Sequence, residues 1–143
     1  MSSLTTKKAI AYTFKDLLKE KSFNKNLHSK GEYEKWEDKF LAIFEIMKEE
    51  QVFVENIYHS VSLEILRKNL YEMVYPIIYS EIEKQVKEKN LTKQDKVFIA
   101  NFYKYAFVSI VLEWIGKGME EDAEIIVNKV SNLVTGTIVR VCF

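Results

Sequence analysis

The chain is poor in the residues that punctuate, ligate and cross-link: four glycines, one proline, one cysteine and two histidines in 143 residues. One cysteine, Cys142, rules out an internal disulfide and fits a reducing compartment. Four glycines, one proline and no Gly/Ser-rich tract leave little material for hairpins or linkers, so long helices are the economical reading and the fold class is all-α. His28, His59 and Cys142 are too few to converge on a metal. Glu55 and His59 stand i, i+4, but the Glu-x-x-His spacing of di-iron bundles is missing, so neither metal nor cofactor is expected. No phosphate-cradling glycine loop, nucleophile elbow or paired Cys/His is present, and the chain does not read as an enzyme.

What remains is apolar and charged, 48% and 29% of residues, in a chain of one-domain size. The net charge is zero but unevenly spread. Residues 1–31 hold seven lysines against Asp16 and Glu20, and residues 32–143 hold 14 basic against 19 acidic residues. A basic arm on an acidic body points to an anionic partner or to a solvated lysine face. Lys7 and Lys8 interrupt the first apolar residues, so a secretory signal is not expected and the location is read as cytoplasmic. Residues 97–115, VFIANFYKYAFVSIVLEWI, imitate a membrane span, but Lys104 and Glu113 inside it would each cost about 2.5–3.5 kcal/mol near a bilayer centre. A helix buried within protein is the better account, with no membrane partner.

Helical periodicity divides the chain into about six helices. Ile10, Phe14, Leu17 and Leu18 define one from Leu4 to Lys21, and Trp36, Phe40, Ile43, Phe44 and Met47 a second from Glu32 to Glu49. A short apolar helix is expected over Val52–Tyr58, then a long one from Ser60 to Val86 that Pro76 should kink. Thr92-Lys93-Gln94-Asp95 resembles a capping box opening a fifth helix, which Gly116 and Gly118 end. The sixth runs from Glu120 to about Arg140 on a β-branched stripe that packing must hold. Tyrosines crowd the long helices. Tyr71, Tyr75, Tyr79, Tyr103 and Phe107 are candidates to line a small-molecule pocket near the Pro76 bend, although core packing accounts for any one of them.

The opening TKKAIAYTFKDLLKEKSFNK resembles the first helix of the TetR family of transcription regulators. VSIVLEWIGKGMEEDAEIIVNKV resembles the last two helices of its Firmicutes-type branch, which includes regulators of dihydroxyacetone kinase operons, and WEDKFLAIFEIMKEEQVFVENIY extends the likeness through the middle. The resemblance implies a remnant first helix of a helix-turn-helix domain at residues 1–25, a junction loop at 26–31, and a ligand-binding and dimerisation domain at 32–143. Where the family continues into its recognition helix, this chain passes from Lys25 to Asn26-Leu27-His28-Ser29-Lys30-Gly31, so DNA is a partner only if that segment exists in the native protein. Lys7, Lys8, Lys15 and Lys19 could supply residual contacts to a DNA backbone. The resemblance further implies an unknown small-molecule effector and a homodimer of the last two helices, placed here at Val108, Val111, Leu112, Ile115, Val130, Val134 and Ile138. The alternative is a helical module that heterodimerises with an intact regulator or a co-activator.

Overall fold

The computed structural model describes residues 3–31, 33–60, 62–86 and 90–134, with side chains from residue 13 onward. Those residues form six α-helices and no strand: α1 Ser3–Asn24, α2 Trp36–Glu49, α3 Gln51–Tyr58, α4 Leu63–Gln85, α5 Lys93–Gly116 and α6 Ala123–Val134. The all-α expectation holds. α4 and α5 form the most extensive pair. α3 packs across both, α2 packs between α4 and α6, and α1 lies on α2 and α4.

The core follows from the stripes. α2 buries Phe40, Ile43, Phe44, Ile46 and Met47, and its aromatics run into α5. Phe40 meets Phe107 with ring centroids 4.7 Å apart, and Phe44 meets Trp114 edge-on at 4.9 Å. α4 continues through Pro76, which lies on its exposed side, where solvent can hydrate the carbonyl of Glu72 that the proline leaves without a donor.

Local chemistry sets the helix ends. At the start of α5 the Asp95 amide donates to Thr92 Oγ1 at 3.1 Å while the Thr92 amide donates to Asp95 Oδ2 at 3.4 Å, the expected capping box. At its end Gly118 takes φ 82°; the Gly118 amide donates to Ile115 O and the Met119 amide to Trp114 O, closing a Schellman turn on buried Met119. α1 ends with the same device. Asn26 takes φ 54°, its amide donates to Phe23 O, and the Leu27 amide donates to Ser22 O. Leu27 then plugs the core with no exposure at all.

α2 begins at Trp36 rather than at Glu32. The reason lies in Glu34, whose carboxylate is drawn out of any helical turn into the junction: Ser29 Oγ donates to it at 2.7 Å, the Gly31 amide at 3.2 Å, and Lys39 pairs with it at 3.0 Å. Lys84 Nζ crosses from α4 to donate to the carbonyls of Gly31 and Glu34. The loop at residues 26–31 is therefore a knitted joint.

Candidate functional site

Function in such a body depends on its surfaces and hollows, and the residues singled out above fall into three places. The first is α1. Phe14 and Leu18 are buried, Phe14 against Phe53 at 5.7 Å between ring centroids, so the apolar face of α1 is covered by the body. Lys21 pairs with Glu49 at 2.7 Å and with Glu50, and Lys25 pairs with Glu45 and Glu49. The hydrogen bond from Lys21 and that from Lys25 hold the Glu49 carboxyl below the usual carboxylate range, while Glu49 raises both lysines. Lys15 and Lys19 are exposed, as a backbone-contacting role requires; the side chains of Lys7 and Lys8 lie outside the described residues.

The second is the tyrosine group, and the structure does not gather its five members around one cavity. Tyr103 and Phe107 are core residues, 8% and 5% exposed. With Trp36, Ile77 and Ile78 they border a hollow of only about 20 Å³, room on the scale of one water. Tyr71, Tyr75 and Tyr79 sit half-buried on the outside of the α4–α5 pair. There Lys104 Nζ lies 4.9 Å from the ring centre of Tyr71, 5.8 Å from Tyr75 and 4.5 Å from Tyr105, and donates to Asn101 Oδ1. The ammonium group of the same chain thus engages the faces of these rings. Burial raises the Tyr75 hydroxyl pKa, and neighbouring Tyr79 adds to the rise.

The third is the surface of α5 and α6. Val108, Val111, Leu112, Ile115 and Val130 are each 8% exposed or less, Val134 is half-buried, and Ile138 lies outside the described residues. The buried five face their own chain, because a periodic stripe marks the side that packs first, and the first surface met is intramolecular. A charge at Val130 would disturb the packing of α6 against the chain before it reached any second subunit. The apolar residues left outward on these helices are others: Phe98 at 74% exposure, Phe102 at 63%, Tyr105 at 53%, and Ile125 and Leu133 on α6. Ala106 and Ser109, small and also exposed, continue the outer face of α5. By length and composition α5 could cross a bilayer, but half of its most apolar stretch is buried inside the fold.

The turn between α5 and α6 explains a sequence signature. Trp114 Nε1 donates to the Glu121 carbonyl at 2.8 Å, Lys48 Nζ to Met119 O at 3.1 Å and Gln51 Nε2 to Gly118 O at 3.2 Å, tying the turn to α2 and α3. A Cβ on Gly116 would stand 2.4 Å from the Tyr58 hydroxyl, so any larger residue there would push the Tyr58 ring aside. Among the described residues, no three His, Cys, Asp or Glu side chains gather where they could hold a metal ion.

The described residues thus form a six-helix body with a basic first helix and an apolar outer face on α5. The family described as the transcriptional regulator C-terminal region, of the TetR type, matches residues 34–136, and the chain belongs to that family. Residues 1–33, with α1 and the junction, fall outside the match. Comparison with curated proteins and with solved structures gave no match.

Proposed function

We propose that this chain is the dimerisation and effector-sensing body of a TetR-type transcription regulator, with α1 as the remnant of a DNA-binding domain whose recognition helices are absent. The observation that carries the reading is the outer face of α5. A helix that already buries nine residues still shows Phe98, Phe102 and Tyr105 to solvent, with Ala106 and Ser109 small enough to let a second helix approach. Family membership supports the same assignment, because a regulator body of this type works as an isologous pair. Membership of the TetR-type family is the support for reading the chain as part of a transcription regulator.

On DNA, Lys15 and Lys19, with Lys7 and Lys8, offer phosphate attraction and nothing that reads a base edge. Duplex binding by this chain is therefore expected to be indifferent to sequence and lost on adding salt.

Sedimentation velocity tests the reading. The wild-type chain is expected to run as a dimer, and Phe102→Glu as a monomer with an unchanged helical circular dichroism spectrum. A wild-type chain that stays monomeric alone and pairs only with an intact regulator or co-activator would replace the homodimer with the heterodimeric module. A monomer without any such partner would sink both.

A further inference from the structure

Between α1, the junction and α4 lies a cleft of about 590 Å³, the size of a site for a drug-sized metabolite. Its floor is apolar, built from Leu18 and Met73, and Phe23, 83% exposed, stands beside it. Two polar groups in the lining are more than nine-tenths buried. Ser22 is 6% exposed and its hydroxyl is fully buried without a hydrogen-bond partner among the described residues. Asn69 is 8% exposed; its Nδ2 donates to Ile65 O at 2.8 Å, which fixes the amide and leaves Oδ1 available as an acceptor. Buried polar groups are nearly always paired, so the unmet Ser22 hydroxyl, with the Asn69 acceptor on the same cleft, calls for a ligand atom.

The charges of the lining narrow the ligand class. Lys15 and Lys19 are exposed and have no ion-pair partner among the described residues, while Glu72 is the one acid of the lining. Two cations against one anion favour a single negative charge and disfavour a dianion such as a phosphate monoester. His28 Nε2 donates to Met73 O at 3.2 Å, and that bond holds the junction onto α4.

We propose that this cleft binds a small amphipathic monocarboxylic acid bearing a hydroxyl group. The carbon skeleton lies on Leu18, Phe23 and Met73, the carboxylate is held by Lys15 and Lys19, and the hydroxyl meets Ser22 and Asn69. The proposal rests on the sensing role argued above and names its site: the seam where α1 joins the body, not the tyrosine face. A ligand there would fix α1 against α4, and α1 is the element that in an intact relative leads to DNA.

The test is an NMR titration of the full-length ¹⁵N-labelled chain with phloretate, with its primary amide and with tyramine, which share a phenol and differ in charge. Phloretate is expected to shift the amides of Ser22, Asn26, Asn69 and Met73 saturably and to bind at least about tenfold more tightly than tyramine. The double variant Lys15→Ser, Lys19→Ser should erase that preference. Ser22→Ala should weaken phloretate by about fivefold yet raise the melting temperature of the free protein, because it removes an unmet buried hydroxyl. A serine with a purely structural role would move the melting temperature alone. Equal binding of the three compounds, or no saturable shift at these amides with phloretate or with hydroxyoctanoate, overturns the proposal. A chain that binds phloretate here but neither self-associates nor finds a regulator partner would sink the regulator reading and leave the site, and a dimer with a silent cleft would do the reverse.

Discussion

The first and fifth helices treat apolar surface in opposite ways. α1 sends Phe14 and Leu18 into the body and shows Lys15, Asp16, Lys19 and Glu20 to solvent. α5 buries residues along its whole length and still exposes Phe98, Phe102 and Tyr105. A helix with one apolar stripe is satisfied inside its own chain, whereas one that is apolar on several sides is only half satisfied there. The apolar face of α1 is thus spent inside the chain, and the exposed aromatic face of α5 is where the proposed pairing with a second subunit is expected.

The severest test of that contrast is Phe14→Ala. The ring is wholly buried, so its truncation should cost about 3–5 kcal/mol in urea unfolding if α1 folds as part of one core. A global midpoint that stays in place, with only the amides of α1 losing hydrogen-exchange protection, would make α1 a loosely docked appendage. Next comes Phe102→Glu. It should weaken self-association by at least about 2 kcal/mol, as truncating a central aromatic anchor does, while changing monomer stability by no more than about 0.5 kcal/mol. A large loss of stability would mean that this face belongs to the monomer after all.

The sequence reads well wherever the determinant is local. The stripes of α1, α2 and α4, the Thr92–Asp95 box and the Gly118 turn are each written within a few residues, and each appears in the structure. The start of α2 was not legible, because Glu34 is claimed by Ser29, Lys39 and Lys84, the last of them from another helix. Aromatic content could not tell a pocket wall from a surface: Tyr71 and Tyr75 have the chemistry of a binding site, and only the fold shows Lys104 of the same chain between them. Apolar spacing likewise identified the side of α5 and α6 that packs, but not which partner it packs against. The cleft beside α1 left no sequence signal, since Ser22 and Asn69 are ordinary helical residues until α1 and α4 meet.

The two Schellman turns carry the comparison to a finer scale. Gly118→Ala places a Cβ at φ 82° and should cost about 1–2 kcal/mol in thermal or urea unfolding. Asn26→Gly relieves a non-glycine residue at φ 54° and should leave stability unchanged or raise it by up to about 1 kcal/mol. A loss of stability in Asn26→Gly would show that the turn after α1 depends on the asparagine side chain, not on its backbone.

The smallest effect expected is one of pH, and it separates the same two turns. Hydrogen bonding from Ser29, and then from Lys39, lowers the Glu34 carboxyl to about 2 from 4.5. A group depressed in the folded state contributes its full stabilisation above its unfolded pKa and loses it as the pH falls through the folded one, so the junction should weaken between pH 4.5 and about 2. The α5–α6 turn is tied instead by Lys48 and Gln51 to backbone carbonyls, which do not titrate. Hydrogen exchange at the Leu27 and Ser29 amides should therefore accelerate on acidification relative to Met119, and Glu34→Gln should flatten that difference. Glu34 is a solvent-facing carboxylate and the effect will be modest. If the Leu27 and Met119 amides respond alike in the wild-type chain, the junction is held by the Asn26 turn and the Leu27 plug alone, and the Glu34 carboxylate is incidental to it.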